Sequence, residues 1–426
     1  MAKYVIVGAS AAGIGAVEAI RDIDPVGSIT VISDEVCPQY SRPMISDFVS
    51  GKADFCKMKC RTDEFWKENN VEALTDKKAT ALNLTEKTVQ LESGEKIAYE
   101  KLLLATGGKP FVPKMDGLEK DGVFTFTTIK DAELLAAKID SVNAKSAVVI
   151  GAGLIGISVT EALVKRGLKV TVVELQEKIL SLLLDAKASD LVESVIKSAG
   201  VNIITGQSVQ KIIGKPNNES AVGGVILTKG DQVPCDLVIV AIGVVPRIEL
   251  VAGTAVKTNK GIVVDNMMQT NVPDVYASGD AAEAYDFILN QNRLLPLWPL
   301  AMQEGRVAGY NMAGQKNTYT GGTNMSSLKY FGIPIISIGL ANPKEDPTLE
   351  VLVKHDSERN VYKKLVLKNN TIVGMTLVNA IERAGVLFYL MKNAVNVKKY
   401  KLQLLSDDFG LATLPVSLQR KMCVVQ

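Results

Sequence analysis

Two similar stretches decide the fold of this chain: YVIVGASAAGIGAVEAI, residues 4–20, and AVVIGAGLIGISVTEAL, residues 147–163. Gly8 and Gly13 of the first recur at the same spacing as Gly151 and Gly156 of the second. In each copy a short Val/Ile run precedes the glycines, a segment of helical periodicity follows them, and a second β-rich run comes next. Each copy therefore predicts a strand–helix–strand unit that binds a dinucleotide.

The glycines have separate tasks in such a turn. The first permits the tight turn, the second lets the backbone approach a pyrophosphate, and the third lets the helix pack closely on the strand. The second copy has the complete pattern Gly151-x-Gly153-x-x-Gly156, whereas the first has Ser10 at the middle position. Backbone N–H groups at the start of each helix would then face phosphate charge.

An acidic residue closes each unit. Glu174 ends the strand of the second copy, where a carboxylate accepts hydrogen bonds from both ribose hydroxyls and repels a 2′-phosphate. Lys178 is the one basic residue among the next eight, so the second unit is predicted to prefer NADH to NADPH. In the first copy the matching position is Ser33, followed by Asp34 and Glu35, and we assign the role to Asp34.

Composition excludes several classes of protein. The chain has 426 residues, enough for two or three domains, and its 48 basic and 46 acidic residues are interspersed, which argues against a nucleic-acid partner. A single His argues against a multi-histidine metal site, and no metal is expected. Five Cys do not form a secreted disulfide framework. Apolar runs are too short to span a bilayer, so a cytoplasmic protein without a membrane span is expected.

Three further motifs follow strand-like runs: LLLATGGKP at 102–110, VAIGVVP at 240–246 and YASGD at 276–280. The first two predict buried strands that run into a glycine turn, with a proline that stops the next helix. The third places Asp280 just past a strand end, and the sequence from Pro299 predicts the start of a helix.

Together, GASAAG, LLLATGGKP, GAGLIG, VAIGVVP and YASGD, in this order, resemble the pyridine nucleotide–disulfide oxidoreductase superfamily of FAD enzymes. The resemblance covers roughly residues 1–314. It implies an α/β fold with two Rossmann-like dinucleotide-binding domains, the NAD domain inserted in the FAD domain, and a C-terminal α+β interface domain that often forms a homodimer. The implied boundaries are 1–110 and 255–315 for FAD, 111–254 for NAD, and 316–426 for the interface domain.

The resemblance also implies the residues at each cofactor. Asp280 would bind the ribityl–pyrophosphate link, Ala79 would touch adenine through its backbone, and Trp298 would lie near the flavin ring. The full set expected at FAD is Gly8, Ser10, Ala12, Gly13, Asp34, Arg42, Ala79, Ala105, Thr106, Gly107, Asp280 and Trp298. The set expected at NADH is Gly151, Gly153, Leu154, Ile155, Gly156, Glu174 and Gly243.

The segment YSRPMIS, residues 40–46, separates branches of this superfamily. Coenzyme A-disulfide reductases and NADH peroxidases or oxidases carry a redox cysteine in the matching stretch, and here Pro43 occupies that position. The segment looks instead like NADH:rubredoxin reductases, ferredoxin-type reductases and the FAD portion of nitrite reductases. Asp47 and Ser158 depart together from the Lys and Glu usual in ferredoxin reductases. His355, in a polar hairpin-like setting, is predicted to be a surface residue.

The sequence therefore predicts hydride transfer from NADH to flavin N5, with no catalytic side chain, and electron transfer to an acceptor. Rubredoxin, a ferredoxin-like protein or a small artificial acceptor would serve. One alternative is an NADH oxidase or peroxidase, or a coenzyme A-disulfide or persulfide reductase, that uses a cysteine such as Cys37, with Cys56 and Cys60 as further candidates. Another is a redox-sensing subunit that binds FAD and NADH without efficient turnover.

Overall fold

The fold was obtained as a computed structural model that describes residues 2–423. The helices are α1 Ala11–Ile23, α2 Ile45–Val49, α3 Phe55–Met58, α4 Phe65–Glu68, α5 Ile129–Ser141, α6 Leu154–Lys165, α7 Ala186–Ser198, α8 Trp298–Met312, α9 Ala384–Lys392 and α10 Val416–Cys423. Short 3₁₀ turns include Arg42–Met44 and Gly279–Ala281.

The strands in the first part of the chain are β1 Ala2–Val7, β2 Ile29–Ile32, β3 Val71–Leu74, β4 Ala79–Asn83, β5 Thr88–Leu91, β6 Lys96–Leu104, β7 Gly108–Pro110, β8 Val123–Thr125, β9 Ser146–Ile150, β10 Lys169–Val173, β11 Asn202–Ile204, β12 Val209–Lys215 and β13 Asn218–Leu227. The later strands are β14 Gln232–Pro234, β15 Leu237–Val240, β16 Val244–Pro246, β17 Ile262–Val263, β18 Val275–Ala277, β19 Ala282–Asp286, β20 Gln291–Leu294, β21 Met325–Tyr330, β22 Ile333–Gly339, β23 Leu349–Asp356, β24 Val361–Lys368 and β25 Thr371–Val378.

The chain forms two compact units. Over the described residues, unit 1 comprises 2–111, Thr127–Leu134 and Gly243–Gly322, and unit 2 comprises Val112–Phe126, Leu135–Ile242 and 323–423. The predicted α/β fold class is confirmed, with one strand–helix–strand repeat in each unit. The narrower domain boundaries given above stay predictions.

Unit 1 is built on a sheet in the order β3-β2-β1-β6-β5-β4, with β18 also pairing with β6. Strands β1, β2, β3, β6 and β18 pair in parallel, so their carboxyl ends meet at one edge. The apolar run of β2 is buried throughout, as a strand covered on both faces requires. Helix α1 packs closely on α8, because a Cβ atom at Gly305 would lie 2.0 Å from the Ala12 carbonyl oxygen.

Unit 2 repeats this arrangement and adds two antiparallel sheets. The second repeat forms a parallel sheet in the order β11-β10-β9-β15-β8, and β12–β14 form a smaller antiparallel sheet. The C-terminal sheet has the order β21-β22-β25-β24-β23, and α9 packs on β25. The three strands predicted there are present, whereas the helix predicted over residues 381–391 begins later, at Ala384.

The two prolines expected to stop helices have a different role. Pro110 ends β7 and Pro246 ends β16, and these two short strands pair with each other in antiparallel register. Proline fits such a two-stranded edge because it lacks only one donor of the ladder. Among residues 2–423, no helix is both long and apolar enough to cross a membrane.

Candidate active site

The glycines of the first turn pack directly against neighbouring backbone carbonyl groups. Gly8 has φ = +115°, and a Cβ atom there would lie 2.0 Å from the carbonyl oxygen of Ala105 at the end of β6. A Cβ atom at Gly13 would lie 2.0 Å from the carbonyl oxygen of Gly8. Ala105 in turn donates from its N–H to the Val7 carbonyl at 2.8 Å. These contacts leave room for hydrogen alone at both glycines.

The N-terminus of α1 is open to an anion. Ser10 is the N-cap residue, its side chain makes no capping hydrogen bond, and the first turn holds no acidic residue. The first N–H groups of a helix have no partner within the helix, and they carry partial positive charge. An apolar turn without a cap is the arrangement that a pyrophosphate would complete.

The YASGD motif, which includes the end of β18, packs against the first turn of α1. Gly279 has φ = +72°, and a Cβ atom there would lie 3.3 Å from the Ala12 Cβ. The buried Ser278 hydroxyl has no hydrogen-bond partner among the described residues. Because buried polar groups are usually paired, a bound ligand could supply the missing partner. Burial raises the pKa of the Asp280 carboxyl, and the nearby positive charge of Arg42 opposes that rise.

Arg42 is held in place by its own neighbours. Its guanidinium donates to the Glu35 carboxylate and to the Thr127 carbonyl, the latter at 3.1 Å. The Tyr40 hydroxyl donates to the same Glu35 carboxylate at 2.8 Å and accepts from the Ile129 N–H at 2.9 Å. Glu35 and Tyr40 are positioning residues that the sequence analysis did not identify. They hold Arg42 and each other locally, whereas the contacts to Thr127 and Ile129 join residues distant in sequence.

Asp34 also has a partner within the protein. Arg247 donates to the Asp34 carboxylate at 2.8 Å, and the Thr106 hydroxyl donates to the Arg247 carbonyl at 2.6 Å. The structure thus joins two predicted FAD residues, Asp34 and Thr106, through a residue that was not predicted. The assignment of Asp34 to the adenosine ribose remains a prediction. The ribose hydroxyls would share the Asp34 carboxylate with Arg247.

The remaining predicted FAD residues lie around the same strand ends. Gly107 has φ = +71° and open space where a Cβ atom would be. Trp298 is the half-buried first residue of α8 and packs against the unit 1 core. The Lys77 N–H donates to the Ser33 carbonyl at 2.8 Å, just past the end of β2. Ala79 is two residues further along and therefore lies near the end of β2.

Glu304 is a buried carboxyl that sequence reasoning missed. It lies on α8 with 1% of its surface exposed and accepts from the Gly279 N–H at 2.8 Å. Burial raises its pKa to about 8, and the neighbouring Asp280 adds to the rise. In the sequence it is one acidic residue inside an amphipathic helix, where a solvated position is the ordinary expectation.

The second glycine turn repeats the geometry of the first within unit 2. Gly151 has φ = +103°, and a Cβ atom there would lie 2.5 Å from the Ala241 carbonyl oxygen. A Cβ atom at Gly156 would lie 1.9 Å from the Gly151 carbonyl oxygen. Gly153 is exposed, has open space around it and caps α6 without any side-chain hydrogen bond. Leu154 and Ile155 are the half-buried first residues of this helix.

Glu174 is fixed at the end of β10. Its carboxylate accepts from the Ala152 N–H at 2.6 Å and from the Gln176 N–H at 2.8 Å. Lys178, the nearest basic residue in sequence, pairs with Asp190 at 2.5 Å. The carboxylate therefore stands beside the glycine turn, and the lysine that could attract a 2′-phosphate is already neutralised.

The C-terminal sheet reaches the second turn through Tyr330. This buried tyrosine of β21 donates to the Leu154 carbonyl at 2.9 Å, and burial raises the pKa of its hydroxyl. No motif surrounds Tyr330, so this contact could not be predicted from the sequence. Gly243 belongs to unit 1, where it has φ = +117° and accepts at its carbonyl from the Phe111 N–H at 2.9 Å.

Four cysteines whose side chains the structure describes, Cys37, Cys56, Cys60 and Cys235, are free thiols. Cys37 and Cys56 are exposed free thiols, and Cys56 lies on α3, which ends before Cys60. The Cys60 thiol donates to the Gln39 carbonyl at 3.2 Å, and burial raises its pKa. Burial raises the pKa of Cys235 to about 12. Among residues 2–423, no group of three or more His, Cys, Asp or Glu could hold a metal ion.

Three further positions can now be located. Asp47 lies on α2 and pairs with Lys52 at 3.1 Å, so its charge is balanced locally. Ser158 is half-buried on α6. His355 is exposed on β23, which confirms the predicted surface position.

The chain matches a known protein family over most of its length. The family described as pyridine nucleotide-disulphide oxidoreductase matches residues 2–305. The chain belongs to this family. Its members are oxidoreductases that use FAD and NADH, as the family resemblance implied. The C-terminal part, residues 325–395, matches the rubredoxin NAD+ reductase C-terminal domain.

Several oxidoreductases of this family resemble the chain over nearly its whole length. It is 34% identical to the NADH-dependent phenylglyoxylate dehydrogenase subunit epsilon of Aromatoleum evansii, over 96% of each chain. It is 30% identical to an NADH oxidase of Methanocaldococcus jannaschii, over 98% of this chain and 96% of the other. A solved NAD-dependent persulfide reductase from A. fulgidus matches with a TM-score of 0.87 and 26% identity, over 93% of this chain and 78% of that one.

The residues of unit 1 fit the FAD of this family. The turn at Gly8 leaves no room for a side chain, the N-terminus of α1 has no cap, and the buried Ser278 hydroxyl lacks a partner. All three features favour an anionic ligand with oxygen atoms that contacts backbone directly.

Proposed function

We propose that this flavoprotein oxidises NADH and delivers electrons to a small iron–sulfur or rubredoxin-like protein, without a redox-active cysteine. One observation carries the proposal: Pro43 is the exposed residue of the 3₁₀ turn Arg42–Met44, where thiol-dependent relatives would carry their cysteine. Arg42, the residue before it, is anchored to Glu35 and Thr127, so this turn is fixed by polar contacts that need no thiol.

The surroundings of the other cysteines support the same conclusion. A redox thiol needs its thiolate form, which a lowered pKa provides. Cys60 and Cys235 have the opposite shift, because burial raises the pKa of both. Cys37 and Cys56 are exposed, and they are the two thiols that an experiment has to test.

FAD, when bound, supplies the chemistry: it accepts a hydride from NADH and gives up the electrons to an acceptor. The chain would hold its pyrophosphate at Gly8, Ser10 and Gly13, and its ribityl side at Asp280. Glu174 would bind the ribose of NADH and disfavour the 2′-phosphate of NADPH. No side chain has to act as an acid or base, which suits a chain with one exposed histidine.

A protein acceptor is favoured by the C-terminal match and by the nature of the relatives. Residues 325–395 match a domain described for rubredoxin NAD+ reductase, and the Rubredoxin-NAD(+) reductase of Pseudomonas putida is 28% identical over 90% of this chain. The relative from Aromatoleum evansii is itself a subunit of an NADH-dependent dehydrogenase. Both relatives are named for electron exchange that involves NAD, which supports a partner protein here.

The acceptor can be identified by anaerobic competition. Purified holoprotein is mixed with NADH and, separately, with rubredoxin, a ferredoxin, coenzyme A disulfide, a persulfide and oxygen. We expect reduction of rubredoxin or ferredoxin to be at least about ten times faster than that of the other oxidants, a difference of about 1.4 kcal/mol in barrier. Faster reduction of a disulfide or persulfide would contradict the proposal.

The thiol question has its own test. Replacing Cys37, Cys56 and Cys60 together with Ser should leave both NADH-to-viologen and NADH-to-rubredoxin turnover unchanged. Cys235→Ser serves as a control for a buried thiol, since it changes packing without removing an exposed thiol. A loss of rubredoxin turnover confined to the triple variant would show that a cysteine is required.

The redox-sensing alternative predicts slow reduction of the flavin. Stopped-flow mixing of holoprotein with one equivalent of NADH should bleach the flavin rapidly and completely if the protein is an enzyme. Slow or partial bleaching, with intact binding of both cofactors, would instead favour a sensing subunit.

A further inference from the structure

Glu304 is a carboxyl buried beside the YASGD turn without an opposite charge. It is 1% exposed, and its Oε2 accepts from the Gly279 N–H at 2.8 Å. Among the described residues, no lysine or arginine forms an ion pair with it. A buried carboxylate without a counter-charge is strongly disfavoured, so the geometry selects the neutral acid.

The groups around Glu304 add negative charge or none. The 3₁₀ turn presents Asp280, whose charge raises the pKa of Glu304. The Gly279 N–H and the buried Tyr319 hydroxyl lower that pKa, but burial outweighs both. On α1, Glu18 and Asp22 pair with Arg306 instead. On β18, burial raises the pKa of the Tyr276 hydroxyl, and the charges of Asp274 and Asp265 add to the rise.

The neutral acid can serve the turn as well as the anion can. Its carbonyl oxygen still accepts from Gly279, whose φ of +72° sets the direction of the chain into Asp280. The proton remains on the other oxygen. Ionisation would place a second negative charge beside Asp280, the residue that would bind the ribityl–pyrophosphate link of FAD.

We propose that Glu304 is a positioning residue for FAD: as a neutral acid it holds the Gly279–Asp280 turn, and its ionisation releases the cofactor. This inference rests on the FAD site proposed above and adds a proton to it. FAD affinity is therefore linked to pH through a residue that need not touch the cofactor.

The sign of the linkage follows from charge. Bound FAD brings negative phosphate, so it raises the pKa of a nearby carboxyl further, and binding retains the proton. Burial already raises the pKa of Glu304 to about 8. FAD should then bind with constant affinity below that pH and lose up to about tenfold in affinity for each pH unit above it.

The test uses apoprotein titrated with FAD, with flavin fluorescence as the readout, from about pH 6 to about pH 10. Glu304→Gln keeps an oxygen acceptor for the Gly279 N–H but cannot ionise. Glu283→Gln is the matched control, because Glu283 is a buried carboxylate in the same unit that accepts from the Gly261 N–H at 2.8 Å. We expect the pH dependence in wild type and Glu283→Gln and none in Glu304→Gln.

Equal pH dependence in all three proteins would overturn the inference and assign the ionisation to another group, with Asp280 the first to examine. If Glu304→Gln does not fold, infrared difference spectra of wild-type apoprotein decide instead. They should show a protonated carboxyl band that disappears above about pH 8, and its absence would refute the neutral acid. Wild-type protein that binds no FAD at any pH would contradict the proposed function itself.

Discussion

Single residues set the two dinucleotide turns. At Gly8 and Gly151 a positive φ coincides with the close approach of a neighbouring carbonyl oxygen. An L-residue there meets two separate penalties, backbone strain and a steric clash. Other glycines of the chain have only the first, which allows the two effects to be separated by experiment.

Gly8→Ala should abolish FAD binding and destabilise unit 1. The new Cβ atom would lie 2.0 Å from the Ala105 carbonyl oxygen, so β6 would have to move. Gly94→Ala is the control, because Gly94 has φ = +88° and open space around it, and we expect a cost of only about 1 kcal/mol there. Flavin content after purification and thermal unfolding measure both effects. Retention of FAD by Gly8→Ala would contradict the assigned turn.

Glu174→Gln should weaken the preference for NADH. One carboxylate charge is lost, so the hydrogen bonds to ribose weaken and the repulsion of a 2′-phosphate disappears. We expect the ratio of kcat/KM for NADH over NADPH to fall about tenfold, or about 1.4 kcal/mol. Glu177→Gln, at an exposed position on the same loop, should leave the ratio unchanged. An equal change in both variants would mean that Glu174 does not contact the ribose.

At the level of elements, α7 is tied to the C-terminal sheet by one carboxylate. Asp185 caps the helix by accepting from the Ala188 N–H at 3.0 Å. It also accepts from Lys364 at 2.8 Å and from Tyr362 at 2.6 Å, both on β24. The Lys364 side chain is only 7% exposed, and among the described residues its charge is balanced by the Asp185 carboxylate.

Asp185→Asn should destabilise unit 2 by about 3 kcal/mol, because Asn can still cap the helix but leaves a buried lysine without a counter-charge. Burial raises the pKa of Asp185, but the bonds from Lys364, Tyr362 and the Ala188 N–H outweigh it and the net pKa is lowered. The stabilisation is therefore present at neutral pH and lost as pH falls below about 4. Chemical denaturation at two pH values measures it.

Asp407→Asn provides the matched control, because the partner of Asp407 is Lys363, the neighbour of Lys364 on β24. Asp407 pairs with Lys363 at 2.6 Å but is half exposed, so water can replace it. We expect a smaller loss of stability than for Asp185→Asn. Lys363 and Lys364 are equally buried, so equal losses would mean that burial of the carboxylate does not set the cost.

At the scale of the whole molecule, each unit has its own hydrophobic core. The core of unit 1 gathers β1, β2, β6, β18, α1 and α8, and that of unit 2 includes β9, β12, β13 and β15. One glycine turn lies in each unit. We therefore propose that FAD belongs to unit 1 and NADH to unit 2, in keeping with the order of the motifs.

Hydrogen exchange can test this division. FAD should slow amide exchange in peptides that cover residues 4–20 and 275–282, and NAD+ should slow it in peptides that cover residues 147–163. Removing FAD should reverse the first effect and leave the second. AMP, which lacks the nicotinamide and one phosphate, is the ligand control. Protection of residues 4–20 by NAD+ alone would contradict the assignment.

Association between chains is a further proposal at this scale. The resemblance implies a homodimer formed by the C-terminal region, whose sheet ends in the edge strand β23. Light scattering during gel filtration should give about twice the mass of 45.8 kDa if the proposal holds. A monomer at all concentrations would exclude it.

The sequence by itself determined the fold class, the family and both glycine turns. Their signals are local: a strand, a glycine spacing and a helix within about twenty residues, each dictated by backbone sterics. Tertiary structure alone decided the partners of the charged groups. Three hydrogen bonds join residues that are distant in sequence: Arg247 to Asp34, Tyr330 to the Leu154 carbonyl, and the Gly279 N–H to Glu304. Burial and pairing depend on which elements pack together, and no spacing along the chain encodes that.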